Sequence, residues 1–372
     1  MATVSLHNLT SSSGAVQSVS LEIGNRELAV LTGPAGCGAA TILRMIAGLE
    51  GIAAGDISIG ERRVNDLAPK DRNVAMVFRD GALYPHMTVQ ENIAFGLKRR
   101  KFAAAEIQKR TRDAAEILGL EPLLERKPPE LTPSQRHRVA LGRAVVQQPQ
   151  VFLLDDPLSS LDPEHRAELR TELIKLHQRL ETTMIYVTRD PAEALAMADR
   201  LVVLDHGIVQ QNGTARALFD APANLSVAGF LGEPPMNLVH GTLKQERDGL
   251  AFAESGDGTI RIRLSSAERP GVKDWIGKPV VLGIRPEDLR IVQVAKGAER
   301  VSNSFAALVD VVEPAGGGAN LHLHTGEHAL ICRTPEPLER GEAGRRVRVE
   351  VDANRVLLFD PATSRRLEES LN

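Results

Sequence analysis

The run Gly33-Pro34-Ala35-Gly36-Cys37-Gly38-Ala39-Ala40-Thr41 restricts the fold more than any other part of this chain. It follows Glu-Leu-Ala-Val-Leu-Thr at 27–32, which reads as a short buried strand, and precedes Ile42 to Ala47, whose apolar spacing is helical. Strand, glycine-rich loop and helix in that order are the setting in which backbone N–H groups cradle phosphate. The full pattern, G-x-x-x-x-G-K-[ST], adds a lysine that reaches the β- and γ-phosphates and a hydroxyl that holds Mg²⁺. Here those two positions are Ala39 and Ala40. The cradle is kept, and both reactive side chains are methyl groups.

A chain of 372 residues holds two or three domains. A net charge of −3 argues against a nucleic-acid-binding field. Cys37 and Cys332 are too far apart in sequence to form a metal or disulfide framework, which suits a reducing cytoplasm. No basic region followed by an apolar run opens the sequence, so no signal peptide is expected. No apolar stretch is long enough to span a bilayer. Aromatic residues make up only 3%, so stacking on bases or sugars is not an evident theme.

Further strands are expected at Val74 to Phe78, Met184 to Thr188 and Leu201 to Leu204, with helices over 101–125 and Pro163 to Glu181. Val151 to Leu154 reads as a buried strand of a parallel sheet ending in Asp155-Asp156-Pro157. Alternating strands and helices make residues 1–235 an α/β domain. The texture changes at Gly232-Glu233-Pro234-Pro235. Residues 236–372 read as a small β barrel or sandwich, with short alternating runs at Ile260 to Leu264, Val280 to Ile284, Ala307 to Val312, Asn320 to His324, Val347 to Val351 and Val356 to Phe359.

Seven segments in order now carry a family resemblance. Gly33 to Thr41 stands as a Walker A loop. Val77-Phe78-Arg79-Asp80-Gly81-Ala82-Leu83-Tyr84-Pro85-His86-Met87-Thr88-Val89 resembles a Q-loop region, and Leu131-Thr132-Pro133-Ser134-Gln135 opens a signature helix. Val151 to Pro157 resembles Walker B, Ser159-Ser160-Leu161-Asp162 a D-loop, and Val187-Thr188-Arg189-Asp190 an H-loop. Gly283-Ile284-Arg285-Pro286-Glu287-Asp288-Leu289 resembles the marker of a C-terminal regulatory β-domain. One such match is weak, but seven in order are specific. The chain resembles the nucleotide-binding subunit of ABC importers of the carbohydrate or glycerol-phosphate type. That implies a P-loop NTPase-like ABC ATPase domain with a helical subdomain, then a small OB-like domain of TOBE/MOP type.

The resemblance also shows what has changed. The family's adenine-stacking tyrosine is Ser13, which has no π-face. The Walker A Lys is Ala39, and its Mg²⁺-binding neighbour is Ala40. Thr41 follows one position late, on the wrong side of the helix turn to replace that ligand. The Q-loop Gln is Arg79, a fixed cation. LSGGQ has become Leu131-Thr132-Pro133-Ser134-Gln135: Pro133 lacks an N–H, and Ser134 adds a side chain where the opposite nucleotide approaches. The general-base Glu is Asp156, one methylene shorter, and the H-loop His is Arg189, which cannot switch protonation near neutrality. Asp155, the Walker B carboxylate placed near Mg²⁺, and Asp162 of the D-loop are kept.

Phosphoryl transfer rests on positioning and charge stabilisation. One lost donor at a developing charge typically costs roughly 3–4 kcal/mol, or 10²–10³ in rate. Several such contributions are altered together here, so little turnover is expected. The resemblance implies ATP and Mg²⁺ as ligands, with groups for both missing. It implies permease transmembrane subunits as partners, peripheral attachment at the cytoplasmic face of the membrane, and a second ATP-binding-cassette subunit. In the family each ATP lies between Walker A of one subunit and the signature of the other. A homodimer would therefore carry both defects at both sites, and an active paralogue is the favoured partner.

Tyr84, Pro85, His86, Met87 and Thr88 begin a stretch close to the family pattern, whose counterpart receives a permease coupling helix. The plainer reading is packing of the helical subdomain. His322, His324 and His328 allow a metal site, but a solvated strand face is the simpler account. Lys98-Arg99-Arg100-Lys101 reads as a solvated helix end rather than a lipid-binding patch. Cys37 stands at a helix start, where a thiol pKa can fall, and is read as structural. Asp155 and Asp156, adjacent on a strand, are expected to face opposite ways. Three functions remain: a degenerate importer subunit with a structural or regulatory role, a working ATPase with unorthodox residues, and a regulatory protein-binding module outside transport.

Overall fold

Val4 and Leu6 point into the core from one face of strand β1 (Val4–Ser11). Asn8 then takes φ 46°, the register shifts, and Leu9 regains the buried face. A β-bulge of this kind lets one strand keep its apolar side inward despite an extra residue. The computed structural model describes residues 2–79, 81–247, 249–264, 271–292, 303–336 and 343–367. Asp80 of the Q-loop segment lies outside the described residues. The chain divides into two units, residues 1–218 and 219–372.

In the first unit β1 is followed by β2 (Val19–Ile23), β3 (Leu28–Thr32), helix α1 (Ala39–Ala47), β4 (Ile52–Ile59), β5 (Arg62–Arg63) and β6 (Val74–Val77). Helices α2 (Val89–Arg99), α3 (Ala104–Ile117) and α4 (Pro133–Val145) come next. The unit closes with β7 (Val151–Asp155), α5 (Pro163–Leu180), β8 (Thr183–Val187), α6 (Pro191–Met197), β9 (Arg200–Asp205), β10 (Ile208–Gly213) and α7 (Ala215–Asp220), which carries the unit boundary.

One sheet has the order β10-β9-β3-β8-β7-β6 and is parallel except at its β10 edge. Every residue of β3 and β8 is buried, as befits central strands covered on both faces. The parallel strands β3, β6, β7 and β8 all deliver their C-terminal ends to one edge. In open α/β sheets that edge is where ligands bind.

A second sheet, β2-β1-β4-β5, is antiparallel and was not expected from an α/β reading. Its β4, Ile-Ala-Ala-Gly-Asp-Ile-Ser-Ile, buries only Ile57 and Ile59, so its sequence signal is weak. The helix expected over 101–125 is shorter. Lys101 takes φ 58° before α3, and Gly119 at φ 62° follows its end. Such left-handed residues stop a helix.

Among its described residues the second unit adds α8 (Leu225–Phe230) and ten strands: β11 (Asn237–Glu246), β12 (Gly249–Glu254), β13 (Arg261–Leu264), β14 (Pro279–Ile284), β15 (Leu289–Val292), β16 (Ser304–Ala315), β17 (Gly318–His324), β18 (Ala329–Thr334), β19 (Arg346–Val351) and β20 (Leu357–Phe359). They form two five-stranded sheets, β13-β12-β11-β14-β20 and β15-β19-β16-β17-β18. One apolar core, including Phe252, Phe305, Leu321 and Leu358, draws on both. The expected all-β character is present. Strands β11, β12, β15 and β18 were not anticipated, because polar residues and glycines interrupt their alternation. Gly241 in β11 shows why: a Cβ there would lie 2.4 Å from the Phe252 ring.

The three histidines do not converge. His322 Nε2 lies 3.3 Å from Glu313 Oε2, and His324 Nδ1 accepts from Gly326 N–H at 3.0 Å. The solvated-face expectation fails for His328, whose ring packs inward with Nδ1 2.8 Å from the buried Glu254 carboxylate. Among the described residues no group of three or more His, Cys, Asp or Glu could hold a metal ion. Nor is any described helix long and apolar enough to cross a membrane.

Candidate functional site

Gly33, Gly36 and Gly38 all take positive φ, at 149°, 82° and 97°. A Cβ at Gly33 would lie 2.0 Å from Leu204 O, and one at Gly38 would lie 2.6 Å from Ala15 O. These two glycines are needed by the fold itself. Above Gly36 nothing lies within 4 Å, so the crest of the loop is open. Pro34, Ala35 and Gly36 are exposed, whereas Cys37 and Ala39 turn inward and join the core. Helix α1 starts at Ala39 with no side-chain cap from Gly38. The first amides of a helix have no intrahelical acceptors, and the positive end of its dipole points to the loop.

Ala40 is half-buried against the core. Thr41 is 7% exposed, and its Oγ1 accepts from Arg44 Nη2 at 3.3 Å. Its hydroxyl is thus drawn along α1. Burial pushes the Cys37 thiol up rather than down, so the helix start does not activate it; the structural reading stands. Ser13 is exposed, and its hydroxyl donates to Ser11 Oγ at 3.2 Å.

Asp155 is the last residue of β7. Asp156 has already left the strand: it takes φ 47° and donates its N–H to Val187 O at 2.9 Å. Strand alternation therefore does not set its direction; the left-handed turn does. The Asp156 carboxylate receives two cations. Arg79 Nη2 lies 3.7 Å from its Oδ2, and Arg189 Nη2 lies 3.5 Å from the same oxygen. Arg79 and Arg189, expected at the Q-loop and H-loop positions, thus meet at Asp156. Burial pushes the Asp155 carboxyl up, and neighbouring Asp156 adds to this, while Arg44 and Arg79 oppose it.

Thr32, Tyr186 and Glu193, not singled out in the sequence, anchor the residues that flank Arg189. Thr32 Oγ1 donates to Thr188 O at 2.8 Å, tying the H-loop to the strand that enters the glycine loop. Thr188 Oγ1 and Tyr186 Oη each donate at 2.9 Å to Glu193 Oε2. Glu193 is 2% exposed, and burial raises its carboxyl pKa. Asp190 caps α6 by accepting from Ala192 and Glu193 N–H groups. A Tyr-x-Thr-x-Asp-x-x-Glu spacing is visible in the sequence, but convergence on one carboxylate is not.

The signature segment is folded on itself. Thr132 caps α4: its Oγ1 accepts from Gln135 N–H at 3.2 Å, and Gln135 Oε1 accepts from Thr132 N–H at 3.0 Å. Pro133 occupies the first helical position, where its fixed φ suits the helix and a free N–H is removed. Leu131 and Ser134 are both 5% exposed. The expected obstruction by Ser134 is therefore corrected: its side chain packs within the subdomain. Asp162 caps α5 by accepting from His165 N–H at 3.2 Å. Among the described residues no hydrogen bond or ion pair joins residues 131–135 to the glycine loop.

Around the segment expected to dock, Asn92 is fully buried and binds the Tyr84 N–H and the Tyr84, Met87 and Thr88 carbonyls. Thr88 caps α2, and the Tyr84 ring packs 4.5 Å from Phe95 with Arg143 over its face. Pro85 and His86 are exposed. Internal packing thus accounts for Tyr84 and Thr88, and leaves Pro85 and His86 facing outward.

Comparison with known proteins bears on this arrangement. The ABC transporter family model matches residues 16–159, the MalK OB fold domain 232–289, and the TOBE domain 282–359. The chain is 44% identical over 368 residues, 98% of its length and 99% of its relative's, to the sulfoquinovosyl glycerol transport ATP-binding protein SmoE of Agrobacterium fabrum. It is 45% identical over 353 residues, 95% of each chain, to the oligosaccharides import ATP-binding protein MsmX of Bacillus subtilis. Among solved structures it is similar to cbiO1 of Clostridium perfringens, part of the ABC transporter complex cbiONQ, with TM-score 0.55 and 25% identity over 59% of this chain and 90% of that one. It is also similar to the ATP-binding cassette MJ0796, solved as a dimer bound to ADP and Pi, with TM-score 0.51 and 27% identity over 57% of this chain and 99% of that one. With an open glycine loop at the sheet's ligand edge and near-full-length identity of this order, the chain belongs to the family of ABC transporter ATP-binding proteins, carrying a cassette domain followed by MalK-type OB and TOBE domains.

Proposed function

We propose that the chain is the nucleotide-binding subunit of an ABC importer for a sugar or related polyol, and that it hydrolyses ATP weakly or not at all. The names of its relatives SmoE and MsmX support the solute class. The observation that carries reduced hydrolysis is the Asp156 carboxylate held between Arg79 and Arg189, beside a glycine loop whose Ala39 and Ala40 present methyl groups. A general base must be free to accept a proton from the attacking water. Two guanidiniums against that carboxylate stand where the attacking water would have to approach it.

Family members bind ATP, commonly with Mg²⁺, and the glycine loop suits a polyphosphate. The residues around it do not fit Mg²⁺. Ala40 has no oxygen, the Thr41 hydroxyl is engaged by Arg44, and Asp156 is paired with Arg79 and Arg189, which leaves Asp155 alone of that pair. No catalytic step is therefore assigned to a metal.

The subunit acts structurally or in regulation beside an active cassette partner, on permease subunits at the cytoplasmic face of the membrane. Pro85 and His86 form part of the docking surface, and Thr132, Pro133 and Gln135 with Asp162 face the partner's site. The cassette domain runs to about residue 235, and the β-domain follows. The test is purification of the intact transporter with its ATP-binding subunits identified, together with single-turnover hydrolysis. A complex with a second, intact cassette subunit and no hydrolysis by this chain supports the reading. Transport driven by ATP with this chain as the sole cassette subunit would overturn it in favour of a working ATPase. Failure to co-purify with any permease would favour a role outside transport.

A further inference from the structure

Arg79 and Arg189 are each half-exposed, with side-chain exposures of 48% and 55%, and each meets Asp156 at a distance longer than a good charge-assisted hydrogen bond. Their remaining N–H donors stay accessible to another anion. Arg189 follows Thr188, whose N–H donates to Leu31 O and whose carbonyl accepts from Thr32 Oγ1, so it starts beside the entrance to the glycine loop. Arg79 follows β6 at the same sheet edge. Arg44 is engaged elsewhere, with Thr41 and with Glu50 at 3.5 Å.

The charge balance differs from that of a metal-dependent site. Here Arg79 and Arg189 offset Asp155 and Asp156 before any metal binds, and the N-terminus of α1 adds roughly half a positive charge. A Mg²⁺ ion arriving there meets two guanidiniums and lacks the hydroxyl ligand. A phosphate chain meets open backbone above Gly36 and two planar donors suited to bidentate contact.

We propose that this chain binds the polyphosphate of a nucleoside di- or triphosphate without a divalent cation, with Arg79 and Arg189 taking the place of both the metal and the missing lysine. Asp156 gathers the two guanidiniums at one carboxylate oxygen and releases them to phosphate oxygens. This inference rests on the cassette assignment, but not on the absence of hydrolysis.

The test is titration of the full-length chain with a fluorescent ATP analogue in excess EDTA and again in excess Mg²⁺. Inorganic tripolyphosphate serves as competitor, and thermal unfolding checks that each variant is folded. Affinity in EDTA is expected to lie within about threefold of that in Mg²⁺, less than the tenfold that corresponds to 1.4 kcal/mol. Tripolyphosphate displaces the probe. Arg79→Ala with Arg189→Ala weakens binding in EDTA at least about tenfold, whereas Asp156→Asn keeps or tightens it. Binding that requires Mg²⁺, no binding, or a folded double-arginine variant of unchanged affinity overturns the proposal. Binding only with Mg²⁺ but without turnover would sink this inference and leave the proposed function standing; metal-free binding with brisk Mg²⁺-dependent turnover would do the reverse.

Discussion

The guanidinium of Arg189 stands 3.5 Å from the Asp156 carboxylate, joining the end of β8 to the residue that follows β7. This ion pair exists because Asp156 turns out of its strand at φ 47° instead of continuing it. It links two of the altered positions physically, so they behave as a unit. Residues acting as a unit give non-additive effects on replacement.

Restoring one member should therefore restore little. Ala39→Lys is expected to leave phosphate release within about twofold of the unsubstituted chain, although a single missing donor is typically worth roughly 10²–10³ in rate. Ala39 is 4% exposed, so the new side chain must also leave the core to reach the loop. A phosphate-release assay checks this. A hundredfold gain from Ala39→Lys alone would show that the remaining site is competent.

Asn92 holds the loop before α2 through one backbone N–H and three carbonyls. Asn92→Ala removes the partner of the Tyr84 N–H and of the Met87 carbonyl, while the Thr88 and Tyr84 carbonyls keep backbone donors, and is expected to destabilise the chain by about 2–4 kcal/mol. Urea unfolding should show a lower midpoint with an unchanged slope. A shift below about 0.5 kcal/mol would mean that the loop's conformation does not depend on Asn92.

Burial raises the Glu193 carboxyl pKa above its ordinary 4.5, against opposing hydrogen bonds from Thr188 and Tyr186. The folded state then holds this proton to higher pH than the unfolded state does. The contribution to stability is fully present below pH 4.5 and is lost as pH rises through the folded pKa. Glu193→Gln, which keeps an acceptor oxygen, should remove that decline. Denaturant midpoints for both proteins from pH 4 to pH 8 provide the comparison, and parallel profiles would contradict it.

Both thiols are buried. Burial pushes Cys332 up to about 12 and raises Cys37 as well. The reactive species is the thiolate. Ellman's reagent at pH 8 should label neither cysteine in the native chain and both after denaturation. Rapid native labelling of Cys37 would indicate that the glycine loop opens.

The order of glycine loop, Q-loop, signature, Walker B and H-loop segments was legible in the sequence because each is a local run tied to a local element. The parallel-sheet strands were legible for the same reason: β3, β7 and β8 are mostly apolar runs. The antiparallel sheet of the first unit was not legible, because β4 spends its few apolar residues on one half-buried face. Strands β11 and β18 pair with their neighbours β12 and β17 in hairpins, but their polar positions mask the alternation.

By itself the sequence determined the class of fold and which chemical groups the site lacks, since a missing amine or hydroxyl is a matter of residue identity. Tertiary structure alone decided what the replacements do to one another. Arg79, Asp156 and Arg189 stand on three separate connections, and sheet order brings their charges together. It also turned Ser134 inward, tied the Thr41 hydroxyl to Arg44 and set the Cys37 thiol in the core. Local pattern specifies a residue's element, but its electrostatic partners depend on which strand ends share an edge, and that follows from packing the whole sheet.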